Sequence, residues 1–381
     1  MAGEGLVTAG GGAGAVNAHA PECDVVVVGA GLLGLACARA LTRRGLTVVL
    51  LERAQVGHDG GGSKGSCRIF RLGYDDPAWV SMAMRARDPW AELEDECGRP
   101  LLEPTPHLTF GYQLDDIRAA MSAAGAAHEL LPAAEVAARF PGIATGGPAL
   151  LEPESCVISA DAALQALAAA VPDIRAGVTA TGIADDGRRV TVRTTSGPVT
   201  AGAAVVCAGP WTGPLLAGSG IAVPSRPTME QVGYLAAAAG PGQRLPIFIC
   251  HGPPGPYGLP VPGAALYKIG FHHSGPVTDP DRQEQGPDPG LSAELVSVAR
   301  RYLPGLAPDL VRTERCVYDN SPDEDFIADR VGRIVIGSGT SGHGFKFGPL
   351  FGEWLADLAT GRGDGPPSPR FSLGRFAAGV Q

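Results

Sequence analysis

Residues 24–53, DVVVVGAGLLGLACARALTRRGLTVVLLER, constrain this chain more than any other stretch. The apolar run 25–28 has no polar alternation and reads as a parallel strand buried on both faces. It feeds Gly29-Ala30-Gly31-Leu32-Leu33-Gly34, a GxGxxG turn, and an Ala-rich helix is predicted over about 32–44. Gly45 stops that helix, and 47–51 form a second buried strand that ends on Glu52. The three glycines of the turn serve different physical ends. Gly29 permits the tight turn, Gly31 lets backbone approach a pyrophosphate, and Gly34 lets helix pack on strand. The helix start offers free N–H groups and a positive dipole end to phosphates. Glu52 stands about 20 residues on, where an acidic side chain accepts from a ribose hydroxyl. In a chain with 55 glycines a lone GxGxxG would say little. Strand, turn, helix, second strand and terminal acid together specify a dinucleotide site, without distinguishing FAD from NAD.

At 381 residues and 45% hydrophobic content, the chain can build two domains with real cores. Its net charge of −9 argues against a nucleic-acid partner. No apolar run reaches the length of a membrane span. The eight cysteines are scattered without a CxxC pair, which reads as reduced, cytoplasmic usage and supplies no metal site. Residues 1–20 are Gly/Ala-rich without a basic start or an apolar core. They are read as a disordered tail rather than a signal peptide, and 378–381 carry no recognisable address.

Downstream, 59–64 (DGGGSK) reads as a flexible loop leading to 65–71, where Arg68 and Arg71, three apart, are expected on the same side of a turn. Residues 79–96 read as helix that Pro89 kinks or divides, 101–154 as short strands with a helix at 133–139, and 161–170 as a helix with Ser159 or Asp161 near its N-cap. Strands are expected on either side of Asp185-Asp186-Gly187, followed by an apolar strand over 203–209 that runs into Pro210-Trp211. In the strand-rich segment 226–275, Lys268 is an isolated cation among apolar neighbours. Burying such a group is costly unless it is partnered, so it either snorkels at an edge or is functional. After a Pro/Asp loop at 276–289 and an amphipathic helix at 291–303, the strand 334–336 runs into GSGTSGHGFK at 337–346 and a helix at 349–359. That second glycine-rich turn before a helix offers a second set of backbone N–H groups.

Taken together, these segments resemble the monomeric sarcosine oxidase family of flavoproteins, with N-methyltryptophan oxidase and pipecolate oxidase. The resemblance runs from about residue 22 to near the C-terminus. It rests on the nucleotide motif ending in Glu52-Arg53, RIFR at 68–71, AAVVCAGPW at 203–211, Tyr257 with Lys268 and His272, CVYDNSPDEDFIAD at 316–329, and SGHGFK at 341–346. The last two runs are specific to the family. The resemblance implies an α/β architecture of the glutathione-reductase-type FAD fold, amino-acid oxidase branch. A Rossmann-like FAD domain (21–82, 156–224 and 317–381) would carry a substrate domain (83–155 and 225–316) with a mixed, mostly antiparallel sheet. It implies FAD held covalently through the Cys316 sulfur to the flavin 8α-methyl. Gly29, Gly31, Leu32, Gly34, Glu52, Arg53, Ser63, Arg68, Val178, Ala208, Gly209, Trp211, Gly342, Gly344, Phe345 and Lys346 would contribute to the cofactor site. Arg71 and Lys346 would bind a substrate carboxylate, Tyr257 and His272 would line the pocket, and Lys268 would promote reaction with oxygen near flavin N5.

The implied reaction is oxidation of the C–N bond of a secondary or cyclic amino acid, with hydride passing to flavin N5 and oxygen returning the flavin with release of hydrogen peroxide. The implied partners are that small molecule and oxygen, and the implied state is a cytoplasmic monomer or small homo-oligomer. A biosynthetic tailoring oxidase or dehydrogenase acting on an imino acid or a tryptophan-like amino acid, and a non-catalytic flavin-binding protein, stand as alternatives. Two segments depart from the family pattern. Residues 63–67 (SKGSC) replace a pair of histidines and a further residue, and 347–351 (FGPLF) are bulkier than usual and are expected to reshape the pocket or the flavin contact.

Overall fold

The structure is a computed structural model that describes residues 22–237, 245–282, 286–366 and 369–379. The expected tail at 1–20 lies outside the described residues. The opening motif folds as β1 (Cys23–Val28), α1 (Leu32–Arg43) and β2 (Val48–Glu52). β1 is parallel to β2 on one side and to Val199–Val206 on the other, with Val25 opposite both Val48 and Ala203. Its alternate residues enter two separate cores: Val25 and Val27 on the α1 side, Val26 and Val28 on the opposite side. A strand covered on both faces has no polar face to show, hence the unbroken apolar run.

Besides β1, the strand Val199–Val206 is long enough to serve two further partners. Its first half pairs antiparallel with Val190–Thr194, and its second half pairs parallel with Ile334–Ser338. Chain segments far apart in sequence therefore place β2, β1, Val199–Val206 and Ile334–Ser338 side by side as four parallel strands. Their carboxyl ends open on one edge, where ligands bind in open α/β sheets. A second, eight-stranded sheet runs in the order Leu310–Tyr318, Thr228–Ala236, Leu266–Phe271, Pro256–Pro260, Ile247–His251, His107–Gly111, Ala149–Glu152, Glu129–Leu131. Of its pairings only Ile247–His251 with His107–Gly111 is parallel. A third sheet joins β3 (Cys67–Phe70) to Cys156–Ser159, which also pairs with Leu102–Pro104.

The glycines of the turn are under the constraint the motif implies. Gly29 has φ +98°, and a Cβ there would sit 2.5 Å from the Cys207 carbonyl oxygen. A Cβ at Gly34 would lie 1.8 Å from the Gly29 carbonyl oxygen. Both obstacles are backbone, so no rotamer relieves them. Gly34→Ala is expected to push α1 off the turn and to destabilise the protein by about 4 kcal/mol or more, with loss of bound flavin; thermal unfolding and the flavin-to-protein absorbance ratio check this. At its other face α1 meets the helix Gly348–Thr360 through small residues, and a Cβ on Gly352 would lie 2.5 Å from Ala36 backbone.

The expected helix over 79–96 is two helices, Pro77–Arg85 and Arg87–Cys97. The break falls at Ala86, before Pro89, because the proline ring opposes the carbonyl four residues earlier, that of Arg85. Ser159 occupies the N-cap of Ala160–Ala169, but its side chain makes no cap bond. Lys268 lies in Leu266–Phe271, paired on both sides by other strands, so it is buried at mid-sheet and does not snorkel at an edge.

Candidate active site

A continuous cavity of about 1030 Å³ opens where the carboxyl edge of the first sheet faces the second sheet. Small-molecule pockets commonly enclose ~300–1,000 Å³, so this one has room for a dinucleotide-sized ligand and something beside it. Its lining brings together Gly29, Gly31, Leu32, Glu52, Arg53, Ser63, Arg68, Arg71, Val178, Ala208, Gly209, Trp211, Tyr257, Lys268, His272, Cys316, Gly342, Gly344, Phe345 and Lys346. Of the residues singled out in the sequence, Gly34 alone stays out of the lining, at the packing contact described above.

At the turn, the Glu52 carboxylate accepts from the Ala30 amide at 2.8 Å and the Ala54 amide at 2.9 Å. Oε2 keeps a lone pair for a hydroxyl, whereas Oε1 also faces His58 Nε2 at 3.5 Å. The Leu32 amide donates to Ser63 Oγ at 3.0 Å. The amides of Gly31 and Leu33 have no acceptor among the described residues, which leaves them to an anion at the helix start. Arg53 stacks 3.8 Å above the Trp211 ring, and both side chains donate to Asp281. Val178 is held by its amide bond to the Glu52 carbonyl at 2.9 Å.

Midway along the cavity, the Arg68 guanidinium donates to the carbonyl oxygens of Gly62, Lys64 and Cys67 and lies 5.3 Å from the Phe345 ring. Lys268 donates to the Cys67 carbonyl at 3.4 Å. Burial, and then the charge of Arg68, lower its pKa from the ordinary lysine value. Burial raises the Cys316 thiol, with Arg68 and Lys268 pulling the other way. All described cysteines are free thiols.

At the far end, half-buried Arg71 stacks 4.1 Å over the Tyr74 ring, and its Nη1 is enclosed with no partner among the described residues. Arg68 belongs to β3, whereas Arg71 follows its end, and the two guanidinium groups turn to different parts of the cavity. They do not share the side of a turn, because strand geometry sends positions three apart to opposite faces. Lys346 is buried and donates to Tyr74 Oη at 2.6 Å and the His343 carbonyl at 3.0 Å. Burial, followed by Arg71, presses its pKa well below the usual lysine range. His272 lines the cavity and is exposed, and the surrounding protein together with His273 and Arg71 depresses its pKa strongly. Tyr257 faces Gly270 across the strand pair, and a Cβ there would strike the phenol at 2.7 Å. Burial pushes the Tyr257 phenol up.

Several participants escape sequence reasoning. Glu152 is fully buried and accepts from the Leu72 amide at 2.8 Å and the Gly73 amide at 3.0 Å, the two residues after Arg71. Burial alone would raise its pKa. The charge and 2.7 Å contact of His107, the nearby Arg71 and the Leu72 amide outweigh burial and hold it at about 2. His251 lines the cavity with its Nε2 unpartnered among the described residues, and burial and Arg71 bring its pKa to about 4. Tyr74 and His343 surround Lys346. A lone tyrosine, glutamate or histidine carries no local pattern; only His343, inside the SGHGFK run, had a signal nearby. None of residues 347–351 lines the cavity: Phe347 lies behind Lys346, whose Nζ is 4.9 Å from its ring, and packs with Trp79 and Phe326, while Leu350 and Phe351 enter the helix-side core.

A dinucleotide cradle on a doubly covered sheet, joined to a small cationic chamber roofed by a second sheet, defines a flavin-type oxidoreductase architecture. The chain belongs to the FAD dependent oxidoreductase family, whose pattern matches residues 24–358. It is 36% identical over 366 residues to a human protein named peroxisomal sarcosine oxidase, covering 88% of this chain and 92% of that one. It is 32% identical over 358 residues to a monomeric sarcosine oxidase from Bacillus, again covering 88% and 92%. Among solved structures, NikD, described as an unusual amino acid oxidase essential for nikkomycin biosynthesis, superposes with a TM-score of 0.83 at 27% identity, covering 93% of this chain and 98% of that one. The cavity fits FAD: a cradle that Cβ atoms would fill, two amides free among the described residues, an acid with a spare lone pair, and unbroken space to Arg71. The chain is thus an FAD-dependent enzyme of the amino-acid oxidase type acting on a small molecule. No described helix is long and apolar enough to cross a membrane.

Proposed function

We propose that the enzyme oxidises the C–N bond of a secondary or cyclic amino acid, such as sarcosine, another N-methyl amino acid or a pipecolate-like ring. The observation that carries this reading is the far end of the cavity. Arg71 keeps an enclosed, unpartnered Nη1 there, and Lys346 donates only to neutral oxygens. A guanidinium and a lysine nitrogen short of an anion suit a carboxylate, with the guanidinium offering paired, planar donors. Tyr257 and His272 wall the space around the rest of the substrate, and His272, held neutral, adds no repulsion to an amine.

FAD, when bound, supplies the two-electron acceptor at its N5 and is returned to its oxidised form by oxygen, with hydrogen peroxide as co-product. Gly29, Gly31, Leu32 and Glu52 would hold its nucleotide end, with Gly342, Gly344 and Phe345 at the other. Cys316 would tether it through sulfur, and Arg68 would lie beside its ring. Lys268 holds a positive charge where oxygen gains negative charge. In this reading segments 21–82, 156–224 and 317–381 serve the cofactor and 83–155 with 225–316 serve the substrate. The likeness to NikD, together with the unpartnered His251 Nε2, favours as second reading a tailoring oxidase acting on an imino acid or a tryptophan-like amino acid.

A peroxidase-coupled screen of sarcosine, N-methyl amino acids, pipecolate and proline tests the reaction; peroxide from at least one is expected, and silence across all of them overturns it. For the tether, acid-precipitated protein is expected to give a yellow pellet, and Cys316→Ala a colourless one with all flavin in the supernatant. A colourless wild-type pellet would remove Cys316 from this role.

A further inference from the structure

Lys346 sits in a hydrogen-bonded string that runs from the Glu324 carbonyl through His343 and Tyr74. His343 Nε2 lies 3.2 Å from the Glu324 carbonyl oxygen, which can only accept, so Nε2 carries the hydrogen. Burial presses the His343 pKa well below the usual histidine range, so the ring is neutral and its Nδ1 is an acceptor. Tyr74 Oη, 3.2 Å from Nδ1, must then donate to it. The Tyr74 oxygen in turn accepts from Lys346 Nζ at 2.6 Å, and Lys346 spends a second hydrogen on the His343 carbonyl at 3.0 Å. A lysine nitrogen has three sites beyond its carbon. Two are fixed as donors, and the third is left to the cavity that Lys346 lines.

From this arrangement we infer that Lys346 enters the reaction as a neutral amine, its lone pair on the third site, and takes the proton that an amino-acid substrate carries on its nitrogen. The inference rests on the carboxylate site proposed above. The groups facing Lys346 are Arg71, Tyr74, His272, His343 and, more distantly, Glu152. Three of them are cationic or can become so. The one anion facing it among the described residues, Glu152, is already engaged by His107, Ser155 and the amides of Leu72 and Gly73. A buried ammonium beside a guanidinium, with no anion in contact, is costly, so the free site favours the amine. An arriving carboxylate reverses that balance. The substrate ammonium N–H bond breaks, its electron pair stays on the substrate nitrogen, and the proton forms a new N–H bond on Lys346. Substrate and lysine together are neutral before and after: a zwitterion with an amine becomes an amino-carboxylate with an ammonium. The carboxylate then gains its second cation, and the substrate amine is left uncharged, the form that gives up electrons.

The test is calorimetric and independent of turnover. The holoenzyme is titrated with methoxyacetate, the ether analogue of sarcosine, in buffers of differing ionisation enthalpy near pH 8. This ligand brings the carboxylate without a proton, so uptake of about one proton per site from buffer is expected. Sarcosine, added in the absence of air to enzyme whose flavin has been reduced beforehand, brings its own proton and is expected to cause none. Lys346→Met is expected to bind methoxyacetate more weakly and without uptake. Methoxyacetate binding without proton uptake in the wild type, or uptake that persists in Lys346→Met, overturns the assignment. Failure of both carboxylates to bind instead overturns the carboxylate site itself.

Discussion

Arg71→Ala is expected to lower kcat/KM for the amino-acid substrate by about a hundred- to a thousandfold, equivalent to roughly 3–4 kcal/mol. The size follows from where the guanidinium sits. It is stacked on Tyr74 with an enclosed nitrogen that nothing in the described chain satisfies, and Glu152 pins the next two amides so that the backbone cannot swing to compensate. Removing it leaves a substrate carboxylate desolvated opposite Lys346 alone. Because that carboxylate also fixes the C–N bond against the cofactor, kcat should fall along with the rise in KM. Arg71→Lys restores the charge without the paired planar donors, and its kcat/KM should lie between wild type and Arg71→Ala. Steady-state kinetics on the three proteins check the order. Equal kcat/KM in wild type and Arg71→Ala would remove the residue from substrate binding.

Lys268→Met is expected to slow reoxidation by oxygen by about a hundred- to a thousandfold while leaving anaerobic substrate oxidation within a few fold of wild type, on the scale of one preorganised charge lost from a closed site. The replacement fits the slot. Lys268 is buried at mid-sheet and makes one long hydrogen bond to the Cys67 carbonyl, so an unbranched apolar chain of similar length removes charge without opening a cavity. Stopped-flow measurement of the two half-reactions separates the outcomes. A change confined to the anaerobic half would assign Lys268 to substrate handling instead.

The parts of the molecule legible in the sequence are those whose logic is local. β1, α1 and β2 announce themselves because a strand buried on both faces, a three-glycine turn and an Ala-rich helix each leave a mark within a few residues. Lys268 stood out because a cation among apolar residues is costly wherever it falls. The sheet formed by β3 was not foreseen: its strands are three or four residues long, and Cys67 pairs with Ser159 across more than ninety intervening residues, a separation that no window detects. That omission also misplaced Arg68 relative to Arg71, since a turn and a strand send positions three apart in different directions. Glu152 reads in sequence as one more acid, and only tertiary structure makes it a buried anion behind Arg71. Tyr74, His251 and His343 acquire meaning in the same way, from what faces them.

The most direct test of the central claim is an anaerobic mixing experiment. Holoenzyme is combined, free of air, with an excess of sarcosine, an N-methyl amino acid or pipecolate, and the visible absorbance of the flavin is followed; air is then admitted. A carboxylate-anchored oxidation of a C–N bond predicts bleaching with at least one of these amino acids, no bleaching with the corresponding amine lacking the carboxylate, and full return of colour in air with one hydrogen peroxide per flavin. An unbleached flavin with every secondary and cyclic amino acid, or equal bleaching by the amine without its carboxylate, would contradict it.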